Sequence, residues 1–186
     1  QLGISYLVQA AEKKHVHSAV SLVNIYKELH SDLNIDKVTS GGEVRIKVDD
    51  SINGNNVAEK TGVITYSDSV ILESAKGSIN GITLVNSETN SFDVLLRAAE
   101  DVSIAKANSL NIESIYTEKG AVVLNGGSDV KINGAVVGGD ASINSAGKIV
   151  ADIIRGGTIA LEAKEEIQLT TIEADGEVSI ISGGDV

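Results

Sequence analysis

The sequence predicts an all-β fold, a single-stranded parallel β-helix in which one coil takes about 19 residues. Four lines of sequence align from Gly120, Gly139, Gly157 and Gly176, at steps of 19, 18 and 19 residues. Inside each line apolar residues recur at every second position, which is the periodicity of a strand. None of the 186 residues is proline, although about nine would be average. Because proline removes a donor from a β-ladder, its absence favours a chain built of paired strands.

Residues 1–40 carry two conflicting patterns. Between residues 4 and 31, mostly apolar residues recur every three or four positions, which would place them on one face of a helix. Against this, VSLVN from Val20 resembles ITLVN from Ile82, and LNIDKV from Leu33 resembles LNIESI from Leu110. The sequence therefore leaves further β coils or a helical insertion open for residues 1–40, and it favours coils.

Residues 41–186 are predicted to be β-helix repeats that continue beyond the C-terminus. In the earlier part, an offset of eight residues joins Val44 to Ile52 and Val94 to Val102, and SVILESAKGSING from Ser69 has a similar pattern. These earlier repeats are spaced farther apart, which predicts insertions at the corners. The best loop candidates are residues 53–62 and 85–91, because both are polar and rich in turn-forming residues.

The cleanest repeats lie between Gly120 and Val186, where five positions recur in the same order. The first apolar position is followed by a second one, by a small residue and by the start of another strand, and a third apolar site comes last. In that order the positions are Val122, Ala141, Ile159 and Val178; Leu124, Ile143, Leu161 and Ile180; Gly126, Ser145, Ala163 and Ser182; Val130, Ile149, Ile167 and Val186; and Val136, Ile153 and Ile172.

The segment LEAKEEIQL from Leu161 consists almost wholly of good helix formers. It nevertheless keeps the phase of its neighbours, since Leu161 and Ile167 occupy repeated apolar positions. Helix propensity is a weak preference that tertiary context overrides. We therefore predict a strand, a small-residue corner and a second strand, with Glu165 and Glu166 at the corner.

Four Asn-Gly pairs suggest an alternative, because this dipeptide between two strands usually marks a hairpin. An antiparallel sandwich would contain such hairpins, but it gives no reason for similar residues to recur every 18 or 19 positions. A parallel β-helix does, because equivalent residues of successive coils stack about 4.8 Å apart.

Composition excludes several classes of function. The formal net charge of −11 argues against binding to nucleic acid or to an anionic membrane surface. Cysteine is absent, which excludes disulfides and thiolate metal sites. Aromatic residues make up only 3% of the chain, which suits thin layers of Val, Ile, Leu and Ala better than an enzyme pocket.

The segments GDASINSAGKIVADI, GTIALEAKEEIQL, ESAKGSING and GEVSIISGGDV resemble the repeats of filamentous-haemagglutinin-like exoproteins, the secreted partners of bacterial two-partner systems. The resemblance covers residues 42–186 and rests on a degenerate pattern. It implies a right-handed β-helical shaft at the bacterial cell surface or outside the cell. It also implies attachment to a protein or glycan of a host or neighbouring cell.

Candidate site residues are few, and we predict no catalytic, cofactor-binding or metal-binding residues and no cofactor. His15 and His17 would share one face of a strand, as a zinc pair requires, but His30 lies apart from them. The Gly-Gly-Asp-like corners at Gly126, Gly138 and Gly183 lack the second half of the calcium-binding nonapeptide. Two acid pairs, Glu165–Glu166 and Asp49–Asp50, could be read as the paired catalytic carboxylates of a glycoside hydrolase.

Three classes of protein compete for this sequence. The first is a structural and interaction segment of a large adhesin, without enzyme activity. The second is a bactofilin-like β-helical scaffold that polymerises in the cytoplasm, and the third is a β-helical enzyme that degrades polysaccharides. The sequence also predicts an open last coil at Val186, from which end-to-end self-association of this segment would follow.

Overall fold

The structure is a computed structural model that describes residues 23–27, 32–39, 42–54, 62–65, 69–85 and 92–186. Within these residues the chain forms only strands, turns and bends, without a helix. The strands are β1 (Val23–Lys27), β2 (Leu33–Ile35), β3 (Lys37–Thr39), β4 (Glu43–Val48), β5 (Ile52–Gly54), β6 (Gly62–Thr65), β7 (Ser69–Ser74), β8 (Ile79–Val85), β9 (Phe92–Ala98), β10 (Val102–Ala107), β11 (Leu110–Thr117), β12 (Val122–Gly126), β13 (Val130–Ile132), β14 (Ala135–Val136), β15 (Ala141–Ser145), β16 (Ile149–Gly156), β17 (Ile159–Ala163), β18 (Ile167–Ala174) and β19 (Val178–Ser182).

The chain winds alternately through two parallel sheets. In sheet I each strand pairs with the next rung in the order β1, β4, β7, β9, β11, β13 with β14, β16 and β18. In sheet II the order is β2 with β3, β5 with β6, β8, β10, β12, β15, β17 and β19. Each of these pairings is parallel. The predicted β-solenoid is confirmed, with about seven turns and steps of about 19 residues.

The core lies between the two sheets and consists of stacked aliphatic side chains. Leu124, Ile143 and Leu161 pair in register and are almost completely buried, and Ile180 continues their column in a half-buried position. Val44, Ile52, Val94 and Val102, which the eight-residue offset singled out, are fully buried. Burial of a branched aliphatic side chain stabilises the fold by roughly 1.5–3 kcal/mol, so these columns are the main source of stability.

The segment from Leu161 to Leu169 has the predicted conformation. β17 ends at Ala163, residues 164–166 turn the corner, and β18 begins at Ile167. Leu161 faces Ile143 on one side and Ile180 on the other, so burial in the core decides the conformation against helix propensity.

The predicted third apolar site is wrong by one residue in two coils. Val136 is 42% exposed and Ile153 is 37% exposed, whereas Ala135 and Ile154 are buried. The buried column runs from Ile115 through Ala135 and Ile154 to the partly buried Ile172. The reason is visible in β16, where Asp152 and Ile153 are both exposed between the buried Ala151 and Ile154. Two consecutive outward residues shift the strand periodicity by one position.

Part of the ambiguous amino-terminal region is described. Residues 23–27 form β1, which pairs with β4, and the LNIDKV segment forms β2 and β3. Residues 1–22 and 28–31 lie outside the described residues. Within the two predicted loops, residues 53–62 and 85–91, the structure does not describe residues 55–61 and 86–91. The strands on either side of these loops are described.

Candidate interaction surface

The acid pairs that the sequence brought forward lie at corners and take part in bonds between coils. The Glu166 carboxylate accepts hydrogen bonds from Gln168 and from Lys148 Nζ, at 2.8 and 3.3 Å. The bond from Gln168 and then the bond from Lys148 lower the pKa of Glu166 from its ordinary value of 4.5. A general acid in glycoside hydrolysis requires a raised pKa instead. Asp49 forms an ion pair with Lys76, at 3.2 Å.

Two of the three aspartates of the Gly-Gly-Asp-like corners, Asp129 and Asp140, cap the backbone of the neighbouring coil with their side chains. Asp129 Oδ1 accepts a hydrogen bond from Lys148 N at 2.9 Å, and Asp140 Oδ1 accepts one from Thr158 N at 2.7 Å. No group of three or more potential metal-ligating side chains occurs in the part of the chain that the structure describes. His15, His17 and His30 lie outside that part.

The same kind of cap recurs at the corner that leads into sheet II. Asp32 accepts from Ser51 N, Ser51 Oγ from Ser78 N, Ser78 Oγ from Asp101 N, and Asp101 from Ala121 N. Each side-chain oxygen therefore binds the amide of the equivalent residue one coil farther along. Sequence reasoning did not single out these residues and missed their role. The signal that could have found them is the recurrence of Asp or Ser directly before the first apolar residue of a coil.

Small hydroxyl residues close the opposite ends of the strands. Ser145 Oγ donates to the carbonyls of Ser128 or Lys148, at 2.6 and 2.9 Å, and Ser182 Oγ lies 2.6 Å from the carbonyl of Glu165. Ser74 and Thr117 occupy comparable corners in sheet I and are buried. These contacts explain why serine occupies the small position at residues 145 and 182, because a buried corner carbonyl is costly without a hydrogen bond.

The outward face of sheet I presents three columns of side chains over seven rungs, from β4 to β18. The charged column consists of Lys47, Glu73, Arg97, Tyr116, Val136, Arg155 and Glu173. The polar column consists of Glu43, Ser69, Asp93, Asn111, Lys131, Val150 and Gln168. The middle column contains Arg45, Ile71, Leu95 and Ser114 in the first four rungs, and Ile153 and Thr171 in the last two.

Neighbours in the charged column contact each other along the solenoid axis. Lys47 Nζ lies 3.0 Å from a carboxylate oxygen of Glu73, and Arg155 binds Glu173 at 2.7 and 3.3 Å. The guanidinium carbon of Arg97 lies 5.5 Å from the centre of the Tyr116 ring, close enough for a cation–π interaction. A groove of about 330 Å³ is lined by Lys47, Glu73, Arg97 and Tyr116 of this column and by Glu118.

Apolar side chains are also exposed on this face, since Tyr116, Val136 and Ile153 are each about 40% exposed. Together with Ile71 and Leu95, which are half-buried, they form an apolar patch bordered by charges. Exposed apolar surface bordered by polar residues is typical of interaction sites. The outward face of sheet I is therefore the candidate interaction surface.

Comparisons with known proteins give this chain no relative. No protein family, no curated protein and no solved structure matches it. In the described residues no helix is long and apolar enough to cross a membrane.

Proposed function

We propose that this chain is a rigid structural and interaction segment of a large bacterial adhesin at the cell surface or outside the cell. The observation that carries the proposal is the unbroken stack of rungs, in which the same core positions recur from Leu33 to Ile167. The resemblance of the repeats to filamentous-haemagglutinin-like exoproteins supports the same conclusion. A surface shaft needs length and stiffness more than it needs a deep ligand-binding pocket.

The proposed mechanism is geometric. Each coil adds about 4.8 Å along the solenoid axis, so length grows in proportion to the number of repeats. Every rung is bonded to the next through its backbone, and caps such as Asp140 join successive corners. Bending the rod would require these bonds and the aliphatic columns to give way together. The shaft holds its exposed faces away from the cell, where they bind a protein or glycan on a host or neighbouring cell.

The proposal is tested with beads that carry the 186-residue chain. We expect such beads to bind to cultured epithelial cells or to bacteria, and we expect beads whose chain has been unfolded by heat not to bind. Absence of binding to both cell types would overturn the interaction role. Electron microscopy of the soluble chain tests the bactofilin-like alternative, which requires regular filaments. An assay for reducing sugars released from acidic glycans tests the enzymatic alternative.

A further inference from the structure

We propose that the outward face of sheet I binds a second copy of this chain, with the two solenoids antiparallel and the twofold axis along β11. The partner is inferred from the order of charges on this face, which is complementary to itself when it is reversed. In such an isologous contact, each pair between rungs occurs twice. The proposal goes beyond the shaft function and does not depend on it.

The charged column shows the complementarity most clearly. Numbered from β4 to β18, its rungs are positive, negative, positive, tyrosine, valine, positive and negative. When a second copy is reversed about the fourth rung, Lys47 faces Glu173 and Glu73 faces Arg155. Because Lys47–Glu73 and Arg155–Glu173 are already ion pairs within one chain, the four charges meet as an alternating square. Tyr116 then faces its own copy.

The other two columns follow the same reversal. In the polar column Asp93, on the third rung, faces Lys131, on the fifth, and Asn111 faces its own copy. In the middle column Ile71, on the second rung, faces Ile153, on the sixth. These pairs join opposite charges or apolar side chains, while the same reversal sets Arg97 against Val136 and Glu43 against Gln168. Complementary potentials of this kind set the register of an interface.

Charge balance makes self-association of this face compatible with the acidity of the whole chain. The basic residues of the face are Arg45, Lys47, Arg97, Lys131 and Arg155, and the acidic ones are Glu43, Glu73, Asp93, Glu113, Asp152 and Glu173. The face thus carries five positive against six negative charges, whereas the chain carries −11 in total. The twofold axis brings Glu113 to its own copy, which is the one like-charge contact of the central rung.

A parallel pair of solenoids would place the polar column against the charged column. It would join Glu43 to Lys47 and Asp93 to Arg97, but it would also set Arg45 against its own copy. Reversal about a point between two rungs is worse, because it brings Lys47 to Arg155 or Glu73 to Glu173. The antiparallel register centred on β11 satisfies three distinct charge pairs, and we choose it for that reason.

The size of the face is sufficient for a dimer. Six steps of about 4.8 Å give a height of roughly 29 Å, and side-chain margins widen the three columns to roughly 20 Å. Contact over this face covers roughly 580 Å² on each partner, a total of about 1,160 Å² that lies close to the lower limit for stable interfaces. We therefore expect a dimer that depends on protein and salt concentration.

The decisive experiment exchanges one charge pair and measures mass by sedimentation velocity over a wide range of protein concentration. We expect the unaltered chain to dimerise at low salt, and Asp93→Lys and Lys131→Asp each to abolish the dimer. The double variant Asp93→Lys/Lys131→Asp should restore it, because only the antiparallel register joins these two positions. A monomeric unaltered chain, or a double variant that stays monomeric while circular dichroism shows it folded, would overturn the proposal.

A second experiment uses the absence of cysteine in this chain. A thiol introduced by Tyr116→Cys lies on the twofold axis, so a short bis-maleimide should join two chains efficiently at low salt. The control is Val123→Cys, which replaces a comparably exposed residue on the outward side of sheet II. Equal cross-linking of the two variants would overturn the proposal, as would preferential cross-linking through Ile71→Cys, which the parallel arrangement requires. Association through the solenoid ends would link neither Tyr116 nor Val123 preferentially.

Discussion

Single residues of this solenoid differ in importance according to the side of the strand on which they lie. Leu161 faces the core between Ile143 and Ile180, while Glu166 lies at a corner and binds Lys148 and Gln168. We expect Leu161→Asp to lower the free energy of unfolding by roughly 3–5 kcal/mol, because it buries a charge without a partner. Glu166→Ala should shift the melting temperature only slightly. Similar shifts for the two variants would contradict the assignment of inward and outward positions.

The lowered pKa of Glu166 also sets the direction of its pH effect. Because its pKa is lower in the folded chain than in the unfolded chain, its contribution to stability is present above pH 4.5 and is lost as the pH falls below that value. The difference between the melting temperatures of the unaltered chain and Glu166→Ala should therefore shrink in acid.

Exposed aspartates of this chain differ in their role: some cap a backbone amide at a corner, and others point outward from a strand. Asp140 accepts the hydrogen bond of Thr158 N at 2.7 Å, whereas Asp152 is exposed on the outward side of β16. We expect Asp140→Ala to cost about 1 kcal/mol, since it leaves the amide without its partner. Asp152→Ala is the matched control and should change little. Chemical denaturation measures both, and equal effects would show that the cap contributes nothing.

At the scale of elements, the corners are tight because neighbouring coils approach each other closely. A Cβ atom added at Gly138 would collide with the backbone carbonyl of Glu118, while one at Gly134 would have no atom within 4 Å. Gly138→Ala must therefore push two coils apart, and we expect a cost of about 1–3 kcal/mol. Gly134→Ala should be close to neutral. A melting experiment that ranked the two variants in the opposite order would contradict the corner geometry.

At the scale of the whole molecule, the last rung is less well covered than the inner ones. Val178 is 43% exposed and Ile180 is half-buried, although Ile159 and Leu161, with which they pair one coil earlier, are buried. A polar capping coil added after Val186 should cover the open edge, raise the melting temperature and suppress end-to-end association. Equal melting temperatures with and without the cap would mean that the open edge costs no stability.

The cap and the sheet I face can be tested independently. The capping coil leaves Asp93 and Lys131 unchanged, so it should not remove the proposed lateral dimer. For a shaft that projects from a cell, antiparallel pairing would join chains that come from two facing cells. This consequence rests on the proposed function, whereas the dimer itself is measured in solution.

Sequence alone determined the solenoid, its step and the inward positions of its cleanest coils. Ile159, Leu161 and Ala163 alternate with the two-residue period of a strand, and the repeat has a period of about 19 residues. Only stacked parallel coils satisfy both periods. Tertiary structure decided the features that these two periods do not specify. Two consecutive outward residues at Asp152 and Ile153 moved the third core position to Ile154. The order of charges on the sheet I face depends on which residues stack across coils of unequal length, and this register follows from pairing in three dimensions rather than from distance along the chain.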